Sequence, residues 1–226
     1  TGIAATIIPN VMDFEHPPSP PDDYAGDVRK ALGLDPDERF ILQPTRVVKR
    51  KGIEHAIELV SRLGMKARLV ISHASGDEGH DYEQRIIDYS QRMGVNTLFV
   101  SDIINDRRGT MADGRKIYNL FDIYPHADLI TYPSTIEGFG NAFLEAVYFK
   151  KPILVNRYSI YTIDIKPKGF MAIEIDGYVT DEAVEKARAV LEDARLREKM
   201  VNTNYALAEK FYSYAVLHEK LMNLMV

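Results

Sequence analysis

The chain has 226 residues, with 28 Lys and Arg against 33 Asp and Glu, for a formal charge of −5. That length suits one large α/β domain or two small ones, and 46% hydrophobic with 27% charged residues excludes wholesale disorder. The acidic balance argues against a nucleic-acid partner, no apolar run approaches the ~20 residues that span a bilayer, and zero Cys removes disulfides, Cys-bound metal centres and thiol catalysis together.

Thr1-Gly2-Ile3 opens the chain with no initiator Met and no basic-plus-apolar leader, and a strand-like stretch, 5–10, follows at once. The expectation is a domain excised from a longer chain; the alternative is a mature protein without its leader. His16-Pro17-Pro18-Ser19-Pro20-Pro21 reads as an extended surface connector, because proline fixes φ and removes a hydrogen-bond donor. Strands are then expected at 40–44, 68–72, 97–101, 128–131, 152–156 and 172–175. Helices are expected at 53–63, 82–93, 116–124 and 141–149, and from 179 onward with breaks near Asp193 and Ser213. Ile53, Ile57 and Val60 recur at helical spacing, and Gly64 and Gly94 stand where helices stop. Short Val/Ile/Leu strands alternating with amphipathic helices predict a doubly wound, Rossmann-like parallel sheet, whose ligands bind beyond the carboxyl ends of the strands.

Two strand-end loops carry chemistry. Arg46-Val47-Val48-Lys49-Arg50-Lys51 puts four cations in six residues of an acidic chain. Arg offers a planar fork for phosphate oxygens and Lys a compact charge, although a solvated basic turn reads the same way. In Glu137-Gly138-Phe139-Gly140-Asn141 two glycines bracket an aromatic residue just before a helix, and Glu145 lies one turn inside it. Glycines admit a ligand to the backbone, free N–H groups at a helix start attract anions, and carboxylates accept from vicinal hydroxyls. The plainer alternative is one Glu favoured by the helix dipole and one surface Glu.

Taken together, Arg46-x4-Lys51-Gly52, Ala127-Asp128-Leu129, Pro133-Ser134, Glu137-Gly138-Phe139-Gly140, Glu145-Ala146 and Pro152 resemble the nucleotide-sugar domain of family-4 retaining glycosyltransferases with the GT-B fold. Ile8-Pro9-Asn10 is similar to that family's interdomain segment, and Phe211-Tyr212-Ser213-Tyr214 to the stretch before its last helix. The resemblance implies a donor site. Arg46 and Lys51 would hold the diphosphate and stabilise it as a leaving group. Glu137 would contact the donor sugar, with Gly138, Phe139, Gly140 and Asn141 around sugar and phosphate and Glu145 on the ribose. Base contacts, largely through backbone, are expected near Asp102 and Ile103. No metal or other cofactor is expected, because two cations and a helix N-terminus can neutralise a departing diphosphate.

The implied organisation is an interdomain segment and connector over 1–22, a nucleotide-sugar-binding domain over 23–210, and a C-terminal helix over 211–226 that packs toward an acceptor-binding domain preceding Thr1. The expected setting is cytoplasmic, with peripheral membrane contact of the parent enzyme left open. A non-catalytic nucleotide-sugar sensor or assembly module is the alternative from another class; an epimerase or phosphorylase of similar architecture is a third. Lys150 stands where the family commonly has Gly, Tyr148 where it often has Ala, and Arg157-Tyr158-Ser159-Ile160-Tyr161 where Gly-Gly is expected. These departures bear on the donor sugar and base. His73, His80 and the carboxylates between them read as a solvated loop before a metal site. Arg107 and Arg108 read as a surface loop before an acceptor or phosphate contact.

Overall fold

The computed structural model describes residues 8–76 and 81–224. Half of the strand-like stretch expected at 5–10 lies outside them, and its described end, 8–10, has no regular structure. Among the described residues one sheet contains β1 Arg39–Gln43, β2 Ala67–Ile71 and β3 Asn96–Phe99. A small hairpin follows, β4 Gly109–Thr110 with β5 Lys116–Ile117, and then the sheet resumes with β6 Leu129–Tyr132, β7 Ile153–Asn156 and β8 Ile173–Ile175. The six sheet strands lie in the order β3-β2-β1-β6-β7-β8, every neighbouring pair parallel. The chain therefore builds outward from β1 on one side and then returns to build outward on the other. Loops leaving β1 and β6 diverge at that switch point and open a crevice between them.

The helices are α1 Val28–Ala31, α2 Ile53–Arg62, α3 Asp81–Arg92, α4 Leu120–Ile123, α5 Asn141–Tyr148, α6 Asp181–Glu192, α7 Ala194–Tyr212 and α8 Tyr214–Leu224. None is long and apolar enough to cross a membrane. Strand side chains alternate between two cores. Phe40, Leu42, Val70, Ile130 and Tyr132 enter one, together with Phe143, Tyr158, Tyr161, Phe170 and Tyr212. Ile41, Leu69, Ile71, Leu129, Leu154 and Ile173 enter the other, against the aliphatic faces of α2 and α6. One layer is thus rich in aromatics and the other almost purely aliphatic.

The structure differs from the sequence reading in three places. The polar segment after β3 contains the hairpin, which is short but braced: the single proton of the Tyr24 hydroxyl is shared between the carbonyls of Gly109 (2.6 Å) and Ile117 (2.8 Å). The helix expected from 116 begins only at Leu120, because Asn119 and Asp122 form a reciprocal capping box that fixes the start there. Residues 161–165 form a π-helical turn that runs into a 3₁₀ turn at Lys166–Lys168. The expected late breaks fall at Asp193, whose carboxylate caps α7 through the N–H groups of Arg195 and Leu196, and at Ser213, where α8 turns away. The opening segment meets that turn: Met12 donates to the Tyr212 carbonyl (3.0 Å) and the Ala215 N–H to the Glu15 carboxylate (3.0 Å).

At the switch point a buried relay joins the two central strands. Thr131 Oγ1 donates to Gln43 Oε1 (2.7 Å), and Gln43 Nε2 donates to Thr45 Oγ1 (2.8 Å). All three side chains are buried. A Thr131→Val variant keeps the shape and strands the Gln43 oxygen, so urea unfolding should show a loss of about 1–3 kcal/mol.

Candidate functional site

A cleft of about 410 Å³ lies over the carboxyl ends of β1 and β6. Its first wall is the loop from Pro44 to Gly52. Val47 and Val48 are buried beneath it, which leaves Arg46 between them and the sheet end as an exposed side chain. A 3₁₀ turn over Lys49–Lys51 then sends three consecutive cations in different directions, as three residues per turn require. Lys49 faces solvent, Arg50 is half-buried, and Lys51 is buried.

The second wall runs from Pro133 to Gly140 and continues into α5. The two walls touch. The Thr135 N–H donates to the Arg50 carbonyl (2.8 Å), and its hydroxyl does the same at 3.2 Å. Gly52 has φ of 60°, and a Cβ there would stand 2.5 Å from the Pro133 carbonyl oxygen. Gly140 precedes α5 with φ of 109°, and a Cβ there would meet the Tyr158 hydroxyl at 2.5 Å. That hydroxyl donates to the Phe139 carbonyl (2.8 Å), so the glycine turn rests on Tyr158. No side chain caps the start of α5, and its first-turn N–H groups border the cleft at Asn141 and Ala142.

Lys51 Nζ hydrogen-bonds Glu137 Oε1, with Arg50 Nη1 at 3.5 Å from the same oxygen. Burial pushes the Glu137 carboxyl up, but the hydrogen bonds of Lys51, Ser134 and Tyr132 together with the charge of Lys51 outweigh it and hold the group below its usual value of 4.5. Burial lowers Lys51, and the charges of Arg50 and Arg46 lower it further, against the pull of Glu137. Its ammonium also stands 5.4 Å above the Tyr132 ring, at the base of the cleft. Glu145 accepts from the Tyr124 hydroxyl (2.7 Å), and burial raises its carboxyl. Arg46 has no ion pair among the described residues. Three cations, Arg46, Arg50 and Lys51, therefore share the cleft with two carboxylates, Glu137 and Glu145, which leaves a surplus of positive charge.

The structure brings Arg46, Lys51, Glu137, Phe139, Gly140, Asn141 and Glu145 into this one cleft, with Gly138 in the same turn. It does not bring Asp102 or Ile103 there. Asp102 is exposed and pairs with Arg115 (3.1 Å). Ile103 is buried, with its N–H and C=O bonded to Val100 and Tyr118. The next residues, Ile104, Asn105 and Asp106, instead line an adjoining cavity of about 570 Å³. His73 lines both spaces, while residues 77–80 of its loop, including His80, lie outside the described residues. Arg108 is a brace: it pairs with Asp22 (2.6 Å) and Asp122 (2.5 Å) and lies over the Tyr24 ring. Tyr132 escaped the sequence reading, which took Arg50 only as one of the loop's cations and His73 only as part of a solvated loop; the places of Tyr132 at the end of β6 and of His73 just after β2 were the available signal.

Comparison with known proteins gives a family match. The model described as "Glycosyl transferases group 1" matches residues 26–207. Mannosylglucosylglycerate synthase of Petrotoga mobilis is 32% identical, the match covering 77% of this chain and 44% of that protein. The protein of the same name from Thermotoga maritima is 28% identical, over 97% of this chain and 56% of its own. The chain thus spans about half the length of these relatives. Among solved structures, Anabaena HepE in complex with UDP and glucose superposes with a TM-score of 0.74 at 17% identity, covering 97% of this chain and 56% of HepE. The C-terminal domain of the Francisella tularensis group 1 protein LpcC superposes with a TM-score of 0.66 at 18% identity, covering 89% and 98%. At these identities the superpositions establish a shared fold.

Two outcomes follow from the geometry. Gly52→Ala should lose about 2 kcal/mol or more in urea unfolding, since left-handed backbone and a carbonyl clash combine there, whereas Gly94→Ala, with similar φ and open space, should lose only about 1 kcal/mol. Because the Glu137 carboxyl is held below 4.5, its contribution is fully present above that pH and is lost as pH falls through the folded value. The stability gap between the wild type and Glu137→Gln should accordingly shrink on acidification, as read by thermal melts across a pH series.

Proposed function

The chain belongs to the group 1 glycosyl transferases, and we propose that it is the donor-binding domain of a family-4, retaining enzyme that moves a sugar from a nucleoside-diphosphate sugar to an acceptor. One observation carries this reading: the surplus of positive charge where the loops after β1 and β6 meet the uncapped start of α5. That constellation suits a compact, multiply charged anion with hydroxyl-bearing groups at either end.

In this reading Arg46 and Lys51 hold the diphosphate and stabilise it as it departs, helped by the amides of the Gly138-Phe139-Gly140-Asn141 turn. Glu145, fixed through one oxygen by Tyr124, accepts from the ribose hydroxyls with the other. Glu137 contacts the donor sugar. It is not the nucleophile, because the acceptor attacks from the face the diphosphate leaves, and the C1–O bond to phosphate breaks as the C1–O bond to acceptor forms. The acceptor proton leaves with the diphosphate. Cations and helix dipole supply the charge neutralisation, so no divalent ion is required.

The parent protein would add an acceptor-binding domain ahead of Thr1, with the exposed Tyr214, Leu221, Met222 and Leu224 of α8 turned toward it. The curated relatives are named as synthases of mannosylglucosylglycerate. We carry that product class, a glycoside of glyceric acid, to this chain. The isolated 226 residues would bind a nucleoside diphosphate and transfer poorly.

Calorimetry with UDP, GDP and ADP tests the binding role: at least one should bind, and Arg46→Ala should weaken it by about 1.5–3 kcal/mol. Transfer by the longer parent chain, insensitive to chelator and abolished in Glu137→Ala, separates an enzyme from a sensor of the same fold. Unchanged diphosphate affinity in Arg46→Ala would sink the assignment.

A further inference from the structure

His73 sits at the end of β2, and no role in the site has yet been given to it. It is half-buried and lines both the cationic cleft and the cavity bordered by Asn105 and Asp106. Its Nδ1 shares a hydrogen bond with the buried Ser72 hydroxyl (2.6 Å), which fixes the ring and leaves Nε2 without a partner among the described residues. Since the cleft also contains Arg46, Lys51 and the first turn of α5, the imidazole borders the space assigned above to the diphosphate.

We propose that His73 is a ligand-gated cation: neutral in the ligand-free protein, it takes up a proton when a nucleoside diphosphate binds, and Nε2 then donates to a phosphate oxygen. This rests on the donor-site reading. The charges that face the ring come from two loops. Arg46 and Lys51, on the loop after β1, repel a protonated imidazole, and Asp106, on the loop after β3, attracts one. Burial disfavours the charged ring first, and the two cations add to it, so His73 titrates below its ordinary value. A diphosphate between Arg46 and Lys51 reverses the balance, because its negative charges offset both cations and add an acceptor. Binding and protonation then favour one another. The sign follows: the linked gain in affinity is present on the acid side and is lost as pH rises through the value of the bound state.

The test is calorimetric titration of the wild type and His73→Gln with UDP, GDP and ADP in buffers of unlike ionisation enthalpy, between about pH 6 and 8. The wild type should take up a fraction of a proton more than the variant. Its affinity relative to the variant should fall several-fold across that range, since a one-unit rise on binding gives tenfold only over the full titration. The nucleotide's own terminal phosphate titrates in both proteins and cancels in the comparison. Imidazole NMR on the wild type gives a readout independent of the variant's folding: the His73 midpoint should move upward on adding nucleotide. Equal proton uptake with parallel pH profiles, or an unmoved His73 midpoint with nucleotide bound, overturns the proposal and leaves the donor site standing. If none of the three nucleotides binds the wild type, the donor-site reading fails and this proposal falls with it.

Discussion

Lys51 and Glu137 meet across the switch point although 86 residues separate them in the chain. Bringing an ammonium and a carboxylate together in a half-buried place constrains almost everything nearby. β1 and β6 must be neighbours, Gly52 must lack a side chain, and the two loops must share the Thr135–Arg50 hydrogen bonds. Such a pair adds little net stability, since desolvation of both charges offsets much of their attraction. Its effect is geometric. It fixes one cation and one carboxylate against each other, with Arg50 at the same carboxylate, and leaves Arg46 as the cation of the cleft without an ion pair among the described residues.

Much of this was legible from sequence, and for identifiable reasons. The parallel sheet followed from short apolar strands between amphipathic helices, and the α6–α7 break from Asp193, a residue that competes for helix N–H groups. The cationic loop and the glycine turn could be read because their chemistry is local in the chain. The hairpin after β3 was not, because its stability comes from Tyr24, 85 residues away from Gly109. His73 was hidden for a similar reason. Its neighbours in sequence suggest a solvated loop, while its neighbours in space are Arg46 and Lys51, which only the strand order brings close. Lys150 shows a departure that the backbone nevertheless accommodates. It adopts the left-handed conformation, with φ of 50°, that closes α5 through hydrogen bonds from Lys150 to Val147 and from Lys151 to Ala146.

The two cores divide labour. The layer under α2 and α6 is packed mainly by aliphatic shape, with Tyr82 donating its hydroxyl to Glu54 (2.6 Å) at its edge. The aromatic layer supplies hydroxyls as well as bulk, and several are aimed at the site: Tyr158 supports the glycine turn, Tyr124 orients Glu145, and Tyr132 lies under Lys51. Bulky residues at 158 and 161, which the sequence sets where glycines are expected, thus turn inward, and Arg157 turns outward to Glu174 (2.8 Å). The pocket is supported from below by rings whose polar ends reach its backbone.

The long separation between Lys51 and Glu137 also has a meaning for biosynthesis. At ~5–20 residues per second, an interval of roughly 4–17 s passes between translation of the lysine and of its carboxylate partner. For the part of that interval after β2 is made, β1 and β2 can pair, yet the loop between β1 and α2 has no counter-charge from the loop after β6. A nascent chain at this stage would present a basic loop on a half-built sheet with an open β1 edge. Completion of the cationic cleft and protection of that edge are therefore a single event, the docking of β6.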